Sequence, residues 1–107
     1  MKLHVGPLSL EMVTAIRPLV GSIRRRDRSL ADQLVRAASS VALNISEAEY
    51  SDPGNRRARL FTAAGSANES RTALKLAVVW GYCRAPDAEA ALALADRVVA
   101  MLWRLTH

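Results

Sequence analysis

Apolar residues recur at helical spacing in four stretches of the chain, and a capping or turn residue bounds each stretch. Met12, Val13, Ile16, Leu19, Val20 and Ile23 fall on one face, while Glu11, Thr14, Pro18 and Arg25 face away. This predicts a first helix from an N-cap at Ser9 to about Arg26. Pro18 lies inside it on the polar side, where the lost backbone hydrogen bond predicts a kink or a fresh start. Ser29 followed by Asp32 resembles a capping box, and Leu30, Leu34, Ala37, Val41, Ile45 and Ala48 form the next stripe, to about Tyr50. Ser51-Asp52-Pro53-Gly54 is the strongest turn signal: Asp52 can cap a third helix that has Pro53 at its first position and runs to about Tyr82. Gly81 and the Cys83 to Pro86 segment end that helix, and Pro86-Asp87 opens a fourth that reaches almost to His107.

Short connections between amphipathic helices imply antiparallel neighbours, so the expected fold is all-α, an up-down-up-down four-helix bundle formed by one domain. If the chain reverses near Pro53, residues equally far before and after it share a level. Arg36 then faces Glu69, Ser40 faces Ser66, Asn44 faces Thr62 and Glu47 faces Arg59. The predicted result is a polar seam between the second and third helices. Its partners should lie within about 6 Å, since a buried polar group without one is costly.

On the fourth helix Glu89, Asp96, Arg97 and Arg104 fall within a strip of roughly 100°. Leu92, Leu94, Val98, Val99, Met101, Leu102 and Trp103 spread around the rest. One core face cannot bury all of these, which predicts a homo-oligomer whose interface includes Leu94, Val98, Met101 and Trp103. The competing expectation is a wide, alanine-rich packing surface inside one subunit.

Composition narrows the class. With 107 residues, half of them hydrophobic but only 5% aromatic, the core must come from Ala, Leu and Val, which suits closely packed helices and requires no metal or disulfide. The single cysteine, Cys83, points to a buried thiol and a cytoplasmic location. The N-terminal apolar run is broken by Glu11 and reads as neither a signal sequence nor a membrane span.

Charge supplies the functional lead. Fifteen basic residues against ten acidic give a net +5, and thirteen of the fifteen are Arg, the side chain suited to bidentate phosphate or carboxylate contacts. Arg24, Arg25, Arg26 and Arg28 crowd the first turn, joined in the bundle by Arg84. Arg56, Arg57 and Arg59 crowd the start of the third helix, at the opposite end with Arg104 and Lys2. A salt-dependent, sequence-tolerant nucleic-acid contact is the expectation. The first cluster suits the dipole at a helix C-terminus; Arg56 and Arg57 oppose the dipole of the helix they begin.

Enzymatic chemistry finds little footing. His4 and His107 sit at the two ends, no Glu-x-x-His pair occurs, and no glycine-rich phosphate loop is present, so no cofactor or metal is expected. Glu47 and Glu69 are the one candidate carboxylate pair, and each has an arginine at its predicted level. Structural ion pairs are therefore favoured over acid–base catalysis.

The segment from Gln33 to Ala48, with Arg36, Ser40, Asn44 and Glu47, resembles the hallmark helix of the bacterial four-helix-bundle protein family. Phe61, Ala64-Gly65-Ser66-Ala67-Asn68-Glu69 and Gly81-Tyr82 resemble its second signature. This family includes the 23S rRNA intervening-sequence proteins and is similar to the accessory variability determinants of diversity-generating retroelements. The resemblance implies a cytosolic bundle that assembles as a ring, usually a pentamer. In the accessory branch it implies partners in nucleic acid and a reverse transcriptase. Ala42 stands where the family usually has Pro, and Ala48 where it usually has Gly; both favour a straighter second helix. The expected function is non-enzymatic, either nucleic-acid binding through arginine rims or a scaffold that docks an acidic protein.

Overall fold

A computed structural model describes residues 3–107. Those residues form four α-helices and no strand: α1 Val5–Arg26, α2 Arg28–Glu49, α3 Pro53–Val79 and α4 Ala85–Thr106. Each helix packs against its neighbours in sequence, and α1 also packs against α4, which closes a bundle of 42 × 22 × 20 Å.

Helix α1 begins a turn earlier than its Ser9 signal. Val5 and Leu8 are buried, the Leu3 amide donates to Glu49 Oε2 at 3.0 Å, and Ser9 is an interior residue whose hydroxyl donates to the Gly6 carbonyl at 2.6 Å. Tertiary burial of an extra turn outweighs the local cap preference. Pro18 sits on the exposed side of a helix that continues through it, so there is no fresh start at that residue.

One residue, Asp27, joins α1 to α2. Its amide closes α1 on the Ile23 carbonyl at 2.8 Å, and its carboxylate caps α2 by accepting from the Leu30 amide at 3.0 Å. Asp27 therefore takes the capping role expected of Ser29. At the next turn Asp52 accepts from the Asn55 amide at 3.0 Å with Pro53 opening α3, as the sequence predicts. These bonds to Asn55 hold the Asp52 carboxyl below its ordinary value of 3.8.

Helix α3 stops at Val79, three residues short of Tyr82, in a Schellman motif. The Tyr82 amide donates to the Ala77 carbonyl at 2.8 Å and the Gly81 amide to Val78 at 3.0 Å, with Gly81 at φ 77. Only glycine takes that backbone region without strain. The core joins Met12, Ile23, Leu34, Ile45, Leu74 and Leu102 to a set of fully buried alanines, among them Ala63, Ala67, Ala91 and Ala95. Small residues at these contacts let the helix axes approach closely.

Candidate nucleic-acid interface

The polar seam forms in part. Ser40 Oγ and Ser66 Oγ lie 2.9 Å apart, Arg59 Nη2 reaches Glu47 Oε2 at 3.1 Å, and Asn44 Nδ2 donates to the carbonyl and hydroxyl of Ser40 at 2.9 and 3.1 Å. Two predicted pairs share no hydrogen bond or ion pair among the described residues. Thr62 donates to its own helix at Ala58 O, not to Asn44, and Arg36 and Glu69 make no ion pair among the described residues. The reason is position: the seam runs along the flank of α2, outside the stripe that Leu34, Val41 and Ile45 bury, so Arg36 and Glu69 are exposed. In water an ion pair between long side chains gains little. Glu47 is held by Arg59, and Glu69 lies ten residues beyond Arg59 on α3, about 15 Å along the helix. The two carboxylates do not form an acid–base pair.

The arginines divide sharply. At the α2–α3 turn, Arg56 Nε donates to Ala48 O at 3.3 Å and its Nη2 to Ser51 O at 3.1 Å, so one guanidinium holds a carbonyl of the last turn of α2 and one of the connection that follows. Arg59 pairs with Glu47, and Arg57 lies over the Phe61 ring with its guanidinium carbon 5.1 Å from the centroid. At the α1–α2 junction Arg24 reaches Asp32 at 2.8 Å. Arg25, Arg26 and Arg28 are exposed and make no hydrogen bond or ion pair among the described residues. Arg26 and Arg84 line one cavity with Ser22, Tyr82 and the carboxylate Asp87. Lys2 lies outside the described residues. Beside this cavity, burial and then the Asp27 carboxylate raise the Tyr82 hydroxyl, and burial followed by Asp87 raises the Cys83 thiol. A buried thiol pushed upward is a poor nucleophile, in keeping with a structural Cys83. No cluster of three His, Cys, Asp or Glu side chains that could hold a metal occurs among the described residues.

The four residues expected at an oligomer interface part company. Val98 is fully buried within the subunit, Leu94 and Met101 are half-buried against its core, and Trp103 is exposed. Helix α4 faces the core with Ala88, Ala91, Ala95, Val98 and Leu102. The three alanines let neighbouring helices approach closely, and Leu92, Leu94, Val99 and Met101 pack half-buried against the same core. One subunit therefore accommodates much of the apolar excess on α4, with Val98 as core.

Two groupings have no counterpart in the sequence reading. Leu76, Val79 and Trp80 are exposed near the end of α3. Phe61, His107 and Trp103 join Arg57 in an aromatic row across α3 and α4. A signal for the row exists in the chain: residues 53–68 and 97–107 contain no Asp or Glu, while they carry Arg56, Arg57, Arg59, Arg97 and Arg104. No helix among the described residues is long and apolar enough to cross a membrane.

Comparison with known proteins agrees with this architecture. A crystal structure of a protein of unknown function from the S23 ribosomal protein family of Bacteroides thetaiotaomicron superposes with a TM-score of 0.86 at 23% identity, covering 95% of this chain and 97% of that one. This likeness concerns the fold. No curated protein matches the chain. The profile of the family described as 23S rRNA-intervening sequence protein matches residues 1–104, nearly the whole length, and the chain belongs to that family.

Proposed function

We propose that this chain is a non-enzymatic, cytoplasmic up-down-up-down bundle that assembles into a homo-oligomeric ring and binds the phosphate backbone of RNA or DNA. The observation that carries the nucleic-acid reading is the set Arg25, Arg26 and Arg28 at the α1–α2 junction, unpaired among the described residues, with Arg84 lining the same cavity as Arg26. Exposed guanidiniums that no carboxylate holds in an ion pair among the described residues suit phosphate oxygens, and neutralising phosphates releases counterions. Repetition around a ring multiplies so small a patch. Arg56 and Arg59 carry less of this role, because their donors already serve Ala48, Ser51 and Glu47.

Fluorescence anisotropy of labelled duplex RNA and DNA across a salt series tests the reading. Binding should weaken steeply with salt, and Arg25→Ala with Arg28→Ala should reduce the logarithmic slope by about 1.8, the contribution of two phosphate contacts. No binding at low salt, combined with capture of an acidic protein that the double variant loses, would transfer these arginines to a protein-docking role. Light scattering gives the subunit number of the ring.

A further inference from the structure

The aromatic row on α3 and α4 differs from the arginine clusters in its chemistry. Phe61 meets His107 edge-on with ring centroids 5.7 Å apart, and His107 stacks on Trp103 at 3.4 Å with planes 17° apart. Arg57 closes the row over the Phe61 ring, and Arg104 follows Trp103 in sequence with no hydrogen bond or ion pair among the described residues. Large aromatic side chains ordinarily dominate cores. In this row Phe61 stays 42% exposed and Trp103 59% exposed, in a chain of which only 5% is aromatic.

The charge around these rings selects the partner. Both helix segments that bear the row, residues 53–68 and 97–107, lack acidic residues, so an anion meets Arg57 and Arg104 without repulsion from those segments. An exposed indole beside cationic side chains can stack a nucleobase while guanidiniums hold the flanking phosphates. A duplex hides the faces of its bases within the helix, so this mode needs an unpaired strand.

We infer that Trp103 and Phe61, flanked by Arg57 and Arg104, form a base-stacking site for single-stranded nucleic acid. The site rests on the proposed nucleic-acid role for its ligand class, but it lies on other helices than the α1–α2 junction and makes a separate prediction about strandedness. His107 holds the Trp103 ring through the stack and through contacts of its Nδ1 with Thr106 Oγ1 and Trp103 O at 3.0 and 3.2 Å. It is a positioning residue.

The test uses oligouridine of about 12 nucleotides, within the span of one single-strand module, and an RNA duplex of the same length. Trp103→Ala should weaken oligouridine binding by roughly 5-fold to 150-fold, the range of one base–aromatic stack, leave duplex binding unchanged, and be rescued by Trp103→Phe. In a Trp80→Phe protein, where Trp103 is the sole tryptophan, oligouridine should quench the fluorescence over the concentration range of the anisotropy change. This second readout does not depend on the Trp103→Ala protein folding. Binding without quenching, or an equal loss for both strands, overturns the stacking site. A change in subunit number on Trp103→Ala, with oligouridine affinity unaltered, makes the row a contact between copies. If neither strand binds at low salt, the stacking site and the wider nucleic-acid role fall together. Loss of duplex binding in the Arg25→Ala and Arg28→Ala protein with Trp103 silent removes the stacking site alone.

Discussion

At the α2–α3 turn, Arg56 is bonded to two carbonyls, Arg59 to a carboxylate, and Arg57 lies on an aromatic ring. At the α1–α2 junction, which the 22 residues of α2 separate from that turn by about 33 Å, Arg25, Arg26 and Arg28 are exposed and have no hydrogen-bond or ion-pair partner among the described residues. The arginine density is similar, and the difference lies in what each connection leaves unsatisfied. The α1–α2 connection is one residue, Asp27, and it both closes α1 and caps α2. The α2–α3 turn instead brings carbonyls at the end of α2 beside the first turn of α3. Arg56 opposes the dipole of α3 but serves the C-terminus of α2, where a cation is favourable. A cluster of arginines is thus available to a ligand only where neighbouring helix ends do not consume it.

Substitutions set the scale of this contrast. Leu74→Ala, in the core that both ends share, should cost about 2–5 kcal/mol, because the fully buried site cannot collapse around the missing atoms. Urea denaturation measures it, and a loss below about 1 kcal/mol would mean that the core repacks. At the α2–α3 turn, Arg56→Ala should cost about 1.5 kcal/mol through lost charged hydrogen bonds. Arg28→Ala at the other end should stay within about 0.5 kcal/mol. Equal losses at the two positions would erase the distinction between engaged and free arginines.

Near the free cluster, Gly81→Ala should cost about 1 kcal/mol, since an alanine there must hold φ 77; open space around its Cβ leaves backbone strain as the cause. Thermal melting detects it. The smallest effect is acid sensitivity at the α2–α3 turn. The folded Asp52 carboxyl titrates below 3.8, so the stability it contributes is fully present above 3.8 and is lost as the pH falls through its lowered folded value. Asp52→Asn, which still caps but does not ionise, should show a flatter stability curve below pH 3.8 than the parent. Identical curves would assign the acid response to other carboxylates.

Local signals carried much of the fold. The stripes through Ile16 and Leu34 reflect burial that recurs at the helical period, and Asp52-Pro53-Gly54 is turn chemistry confined to neighbouring residues. Antiparallel counting from Pro53 placed Ser40 on Ser66 and Glu47 on Arg59, because a tight turn fixes the levels of the residues beside it. The level that it assigned to Arg36 and Glu69 produced no ion pair among the described residues. A shared level does not set whether two side chains on the outer flanks turn toward one another.

Spacing along the chain was enough to specify four helices, their order and the core faces of the first two, since helix formation and capping act over a few positions. Only the packed structure decided which polar groups are spent. The carbonyls at the end of α2 absorb Arg56, Val98 sinks among alanines, and the rings of Phe61, His107 and Trp103 meet across two helices. Each outcome depends on a distance of a few ångströms between residues far apart in sequence, and only the packing of the helices against one another sets such distances.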